Sequence, residues 1–368
     1  MTVDSPSTVA VGQSFSASEG LAQMGRVQKK GSKLQGQQPQ LQKQSRQPVQ
    51  LYQTGESEPS RAAPWDSGSA PISQRRPQVF PWSTRRLTFP PPHTLHGPSQ
   101  NLVPSPSPFP RYGFAIPPIT TSNNEIYLFG GLSRDTMVSD MYLIASRDLT
   151  ATLIETAGDI PSPRVGHASE LANNVLIVWG GATKQDGQAN SVEEPHDNSL
   201  YLFNTATRQW TQVVTAGDSP VGRYGHATAM IGTKFFIFGG QSDGCFRNDL
   251  WAFDFNTVTT PVWEKYHPSD SISPPPRANH ICVAYNEKIY MFGGTDGLFH
   301  YNDTWEFDVV RRTWKELSCI GYIPTPREAH AATIVEDVMY VFGGRNTNGK
   351  DLNDLAAFNL TRLDVKFF

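Results

Sequence analysis

The sequence predicts an all-β propeller, from one repeated motif, its spacing and the short runs around it. Five apolar runs end in a Gly-Gly pair: Leu128-Phe129-Gly130-Gly131, Val178-Trp179-Gly180-Gly181, Phe238-Gly239-Gly240, Phe292-Gly293-Gly294 and Phe342-Gly343-Gly344. The pairs recur after 50, 59, 54 and 50 residues. A period of about 50 residues with strand-sized runs between turn residues marks blades arranged around an axis.

Each repeat follows one template, which justifies the elements in turn. An Arg opens it, as Arg111, Arg164, Arg223, Arg277 or Arg327. Three residues later stands His167, His226, His280 or His330, with Phe114 in the first repeat. The residues around these positions form strand a. Strand b is the apolar run into the Gly pair, as in Lys288-Ile289-Tyr290-Met291-Phe292. A loop then leads to Asn-Asp and strand c, as in Asn248-Asp249-Leu250-Trp251. Strand d centres on Trp210, Trp263 or Trp314. The repeats span roughly 111–154, 164–213, 223–266, 277–317 and 327–360. In an up-down meander the b–c loop and the d–a connection leave by the same end. The Arg, the Gly pair and the Asp therefore share one face, the expected partner face.

The ends of the array differ from its middle. The fifth repeat carries strands a to c through Leu355-Ala356-Ala357-Phe358 and has no Trp strand after it. Ahead of the first repeat stands an orphan d-like segment near 80–88, Phe80-Pro81-Trp82-Ser83-Thr84-Arg85-Arg86-Leu87. An N-terminal strand d can close a ring by joining the last a–c strands, which removes exposed edges. The expectation is N-terminal strand closure of a propeller over 79–368; the alternative is an open ring lacking one or more blades.

Residues 1–78 are rich in Gln, Ser, Pro and Gly and are expected to be a disordered tail, having too little apolar surface to offset ordering entropy. Ser5-Pro6, Ser105-Pro106 and Ser107-Pro108 are formal proline-directed phosphorylation sites. Residues 1–110 carry 11 Lys/Arg against 5 Asp/Glu, and residues 111–368 carry 20 against 29, so +6 and −9 give the net −3 of the 368-residue chain. A positive charge that sparse gives no nucleic-acid footprint. Cys245, Cys282 and Cys319 are scattered, which argues against a disulfide framework, a zinc site and an oxidising compartment. The Ser-rich N-terminus has no apolar segment of a secretory signal, and no stretch reaches a membrane-spanning length. The expected location is cytoplasmic.

Several residues could carry function. Convergent guanidinium groups of Arg111, Arg164, Arg223, Arg277 and Arg327 could bind carboxylates or phosphates of a partner. Alternatively each pairs with an Asp, such as Asp140, Asp249, Asp303 or Asp354, and holds adjacent blades together. The four histidines sit one per repeat without the close pairing of a transition-metal site, so structural hydrogen bonding is expected of them. The Gly pairs have no helix after them and read as turns, not phosphate loops. Between Gly181 and Leu200 the second repeat holds a loop about twice the length of its equivalents. Its Asp186, Glu193, Glu194, His196 and Asp197 are candidates for partner binding. A disordered insertion is the competing interpretation, and a metal site a weaker one. No nucleophile elbow, dinucleotide fingerprint, Walker loop or His-Glu-x-x-His occurs, so no catalytic residue, cofactor or metal is expected.

The runs Phe109-Pro110-Arg111-Tyr112-Gly113, Pro161-Ser162-Pro163-Arg164-Val165-Gly166-His167-Ala168 and Gly222-Arg223-Tyr224-Gly225-His226 identify a kelch-type β-propeller. With the long loop ending in Asn198-Ser199-Leu200 and the Trp82 segment, the chain resembles the fungal kelch-repeat cell-polarity scaffolds (tip-marker type) over about residues 80–360. The resemblance implies a non-enzymatic protein-binding scaffold for polarised growth and cell shape, at the cell tip or cortex. Family members usually carry about six repeats and a coiled-coil extension; five repeats and no heptads imply a truncated member. Ubiquitin-ligase adaptors of the kelch class need an N-terminal oligomerisation domain not seen here. Metal-dependent kelch enzymes, galactose-oxidase-like or iron-dependent specifier-like, are the alternative from another functional class.

Overall fold

The second strand of a blade is apolar at successive positions, as in Val175–Trp179 and Lys234–Phe238, so both of its faces are buried and the strands stack as upright blades. The computed structural model describes residues 85–98, 103–183, 197–256, 261–269 and 271–367. From Arg86 onward these belong to one compact unit, all-β and without a helix among the described residues. It is a five-bladed propeller.

Blades two to five share one order. Blade two is Ala168–Ala172, Val175–Trp179, Leu200–Asn204 and Gln209–Val213, antiparallel throughout. Blade three is Ala227–Ile231, Lys234–Phe238, Leu250–Asp254 and Trp263–Tyr266, and blade four is Ile281–Tyr285, Lys288–Phe292, Thr304–Asp308 and Thr313–Glu316. Blade one has Glu125–Phe129, Met141–Ala145 and Thr150–Ile154, while at its inner position Ala115 makes a single bridge to Phe129.

Blade five corrects the expected closure. Its strands Ala331–Val335, Val338–Phe342 and Leu355–Asn359 are followed by a fourth, Asp364–Phe367, paired antiparallel to Leu355–Asn359. Both edges of Leu355–Asn359 are thereby occupied, and no place is left there for an N-terminal strand. A fourth strand forms without a Trp because Val365 takes the inward position, pairing with Phe358 as Trp314 pairs with Phe307. Of the expected closing segment 80–88, residues 80–84, Trp82 included, lie outside the described residues. Thr88 bridges Thr150 in parallel at the outer edge of blade one. Ala216 and Ile320 hold the same place on blades three and five. Each follows a Trp by six residues (Trp82, Trp210, Trp314), which is the repetition that made the segment look like a strand d.

The core lies between blades. Edge-to-face and tilted aromatic pairs add to area burial there. Trp210 of blade two packs on Phe129 of blade one with centroids 4.9 Å apart, and Trp314 of blade four packs on Phe238 of blade three at 4.9 Å. Trp263 meets Trp179 at 5.9 Å.

Candidate functional site

The five arginines are all buried, and each closes a clasp inside its own blade. Arg277 is representative. Its Nη1 donates to Gly293 O at 2.9 Å and to Asp303 Oδ1 at 2.6 Å, its Nη2 to Asp303 Oδ2 at 2.8 Å, and its Nε to Pro275 O at 3.2 Å. Arg111, Arg223 and Arg327 repeat this with Asp140, Asp249 and Asp354. The planar fork matches a carboxylate bidentately, which is why every repeat opens with Arg and not Lys. These guanidinium groups are spent on the fold and present no partner-binding rim. The clasps also act within a blade, not between adjacent ones as expected.

In blade two the partner is Asp197, 2.7 Å from Arg164 Nη2. Sequence reasoning placed Asp197 in the inserted loop and missed this, because Asp197-Asn198-Ser199-Leu200 carries the acid two residues earlier than Asn248-Asp249-Leu250 does. One Arg per repeat was the available signal, since it demands one Asp per repeat. Burial alone would raise the Asp197 carboxyl, but the Arg164 guanidinium and the Ser199 N–H outweigh it and hold it below the usual carboxylate value. Asp249 and Asp354 are likewise lowered, their clasps with Arg223 and Arg327 overcoming burial. Asp186, Glu193, Glu194 and His196 lie outside the described residues. Thr183 at the near end of their loop pairs with Arg164, so both loop ends sit on one clasp.

The Gly pairs do more than turn the chain. All ten residues have positive φ, between 62° and 95°. A Cβ on Gly180 would lie 2.7 Å from Arg223 O and His226 Cε1 of the next blade. A Cβ on Gly181 would lie 2.9 Å from His167 of its own blade. In blades one to four the first glycine thus admits the neighbouring blade, and the second admits its own strand a. Backbone bonds complete each junction: Gly131, Gly181, Gly240 and Gly294 donate to Arg164, Arg223, Arg277 and Arg327 O. The histidines fill the wedge, their rings edge-on to Phe129, Trp179, Phe238 and Phe292 at 4.9–5.5 Å. Burial and then the nearby arginines keep them neutral, with His226 and His330 lowered to about 3. The hydrogen bonding expected of them is made by His167, whose Nε2 lies 3.1 Å from Phe129 O; His226, His280 and His330 are placed by their edge-on packing instead. Among the described residues no three His, Cys, Asp or Glu side chains converge on a common point.

Each clasp joins the start of strand a, the end of strand b and an Asp just ahead of strand c. It therefore pins all three to one end of the blade and builds a rigid rim. On that rim the loop after Gly294 is itself locked. Asp296 accepts hydrogen bonds from Leu298 N at 2.9 Å, Phe299 N at 2.7 Å and Tyr301 Oη at 2.8 Å, while Arg277 stacks 4.0 Å over the Tyr301 ring. Burial would raise the Asp296 carboxyl, but the Phe299 N–H and the Tyr301 hydroxyl bring it below its usual value. Held this way, Leu298 is 85% exposed and Phe299 65%. Exposed aliphatics recur on the d–a connections of the same rim as Ile160, Val221 and Ile323. Sequence reasoning did not single out these residues; large apolar side chains in a polar turn were the missed signal.

An all-β array of clasped blades with glycine-mediated junctions defines the class: a β-propeller of Arg-clasped, Gly-Gly repeats. The chain belongs to the kelch-repeat family, matching the KLHDC2/KLHL20/DRC7 Kelch-repeats domain over residues 118–344. Among similar proteins, Tip elongation aberrant protein 1 of Schizosaccharomyces pombe is 34% identical over 255 residues, covering 68% of this chain and 22% of that protein. Kelch repeat-containing protein 2 of Saccharomyces cerevisiae is 37% identical over 213 residues, covering 55% of this chain and 24% of that one. The chain thus spans less than a quarter of the length of either. The solved structure of YjhT superposes with a TM-score of 0.57 at 17% identity, over 73% of this chain and 88% of that chain, and shares the fold.

Proposed function

We propose that this chain is a non-enzymatic scaffold that docks protein partners on the clasped rim and serves polarised growth at the cell tip or cortex. Kelch homology supports the protein-interaction role. The polarity assignment rests on relatives named as tip elongation aberrant proteins 1 and 3 of Schizosaccharomyces pombe. The observation that carries the docking face is the locked loop at 295–301, whose backbone is fixed before any partner arrives while Leu298 and Phe299 face outward. Large apolar side chains on a preorganised support are what interface hot spots require, since little ordering entropy is then lost on binding. The insertion carrying Asp186, Glu193, Glu194 and His196 belongs to the same proposal, because its two ends share the Arg164 clasp on that rim. No helix among the described residues is long and apolar enough to cross a membrane.

The test is site-specific photocrosslinking from position 299 in growing fungal cells. A discrete crosslinked product should appear. Leu298→Ser with Phe299→Ser should remove the tip or cortical signal of a fluorescent fusion while shifting stability by less than about 0.5 kcal/mol, as for surface sites. Unchanged localisation together with no crosslinked product would refute the docking face. Removing residues 184–196 tests the insertion separately.

A further inference from the structure

The inner strands of blades two to five, with Pro118 and Ile119, line a cavity of about 250 Å³. Its walls are mostly apolar, with Met230, Ile281 and Ile334 contributed by three different blades; the Cys282 thiol also lines it and is pushed up by burial, with Glu170 adding to the rise, so it stays protonated at neutral pH. One carboxyl breaks the pattern. Glu170 lies in the strand Ala168–Ala172, lines the cavity and is 3% exposed. Thr228 Oγ1 of the next blade donates to its Oε1 at 3.0 Å. Among the described residues this is the carboxyl's one hydrogen-bond partner, and the nearest clasps are already satisfied by their own aspartates.

We propose that this cavity is a binding site for a compact, uncharged, mostly apolar molecule that presents one hydrogen-bond-accepting oxygen, such as a carbonyl, to Glu170. The chemistry of the wall selects that class. Buried polar groups are normally satisfied, and a carboxyl with one partner in an apolar chamber retains unused capacity. Burial raises Glu170 to about 8 against the opposing Thr228 hydrogen bond, so at neutral pH it carries a proton and can donate it. An anionic ligand would find no unspent cation on the wall. A cationic ligand would require an ion pair in an apolar chamber with a single hydroxyl to support it, where desolvation outweighs attraction. A neutral acceptor completes the carboxyl without charging the site. The site is independent of the rim.

The full chain is titrated with cyclohexanone and with methylenecyclohexane, its near-isostere lacking the acceptor, and the ¹³C-labelled methyl of Met230 reports occupancy by NMR. Cyclohexanone should shift the Met230 signal and bind the wild type at least fivefold more tightly than Glu170→Leu. Glu170→Gln, whose amide still donates, should bind within twofold of wild type. Methylenecyclohexane should not discriminate among the three. Ketone binding should weaken as pH rises through about 8 in the wild type and stay level in Glu170→Gln. Ala332→Leu, which narrows the cavity from blade five without touching the carboxyl, should abolish binding of both probes. No Met230 response to the ketone in the wild type, or equal ketone affinity in Glu170→Leu, would overturn the proposal.

Discussion

The junction between blades three and four and the junction between blades four and five share their backbone contacts and differ in their apolar filling, most in volume where Trp314 of one answers to Val365 of the other. Both place a His on an aromatic ring, at 5.5 Å for His280 on Phe238 and 5.3 Å for His330 on Phe292. Both join a second glycine to an Arg carbonyl, at 2.8 Å for Gly240 and 2.9 Å for Gly294. At the first junction Trp314 fills the remaining space against Phe238 and Phe307, at 4.9 Å from each. At the second Val365 stands in that position, and a cavity of about 10 Å³ remains beside Phe292, Phe358 and Val365. The repeat is therefore specified by its polar and glycine contacts, and the apolar filler sets only how strongly a junction holds.

Acid should act on both junctions at once and has the largest effect. His226 and His330 fall from 6.5 to about 3 on folding, and His167 and His280 fall well below 6.5. Below pH 6.5 the unfolded chain binds protons that the folded one does not. The stability from neutral histidines is thus complete above pH 6.5 and is lost as pH falls towards 3. At pH 5 this amounts to about 2 kcal/mol per histidine on the order-of-magnitude scale of 1.4 kcal/mol per pH unit. Circular dichroism against pH should show one cooperative transition; two separated steps would mean that the junctions are not equivalent in their polar contacts.

Truncating the fillers separates the junctions. Trp314→Ala should cost about 3–5 kcal/mol, and Val365→Ala about 2 kcal/mol, in urea unfolding. Equal losses would mean that the filler does not set junction strength. The smallest effect isolates the contact that a first glycine makes with the next blade. Gly293→Ala places a Cβ 2.8 Å from His330 Cε1 and 3.0 Å from Arg327 O, both in the next blade, whereas at Gly343 the nearest atom is Leu352 O at 3.2 Å in its own blade. Both positions have the same left-handed φ, 66° and 65°, so the backbone strain of about 1 kcal/mol is common to the two. Gly293→Ala should cost about 1–2 kcal/mol more than Gly343→Ala by thermal melting.

Much of this architecture was legible because the repeat displays its own grammar. The Gly pairs, the Arg and the Trp each mark a contact made in several blades, so position in the repeat predicted position in the blade. What escaped were single departures. Val365 has none of the aromatic signature of a fourth strand, yet an inward aliphatic suffices to seat it beside Phe358. Asp197 was displaced from its motif by the insertion before it. Glu170 stands three residues after His167, where the other repeats carry Ala229, Val283 and Thr333. A lone acid in that column was visible only by aligning the repeats with one another. The exposed pair on the rim escaped because turn residues were read for their conformation and not for what they display.

The Arg164 clasp has a practical consequence. The Thr183 backbone pairs with that of Arg164 and Asp197 accepts from the Arg164 guanidinium, so the span between them is closed by the blade and not by its own sequence. Extending a loop whose ends are already fixed adds only a slowly growing entropy, about 0.6 kcal/mol for each doubling in length. The second blade is thereby a natural grafting port. An epitope or a small reporter domain spliced between those two residues should leave the melting temperature within a few degrees of the parent chain.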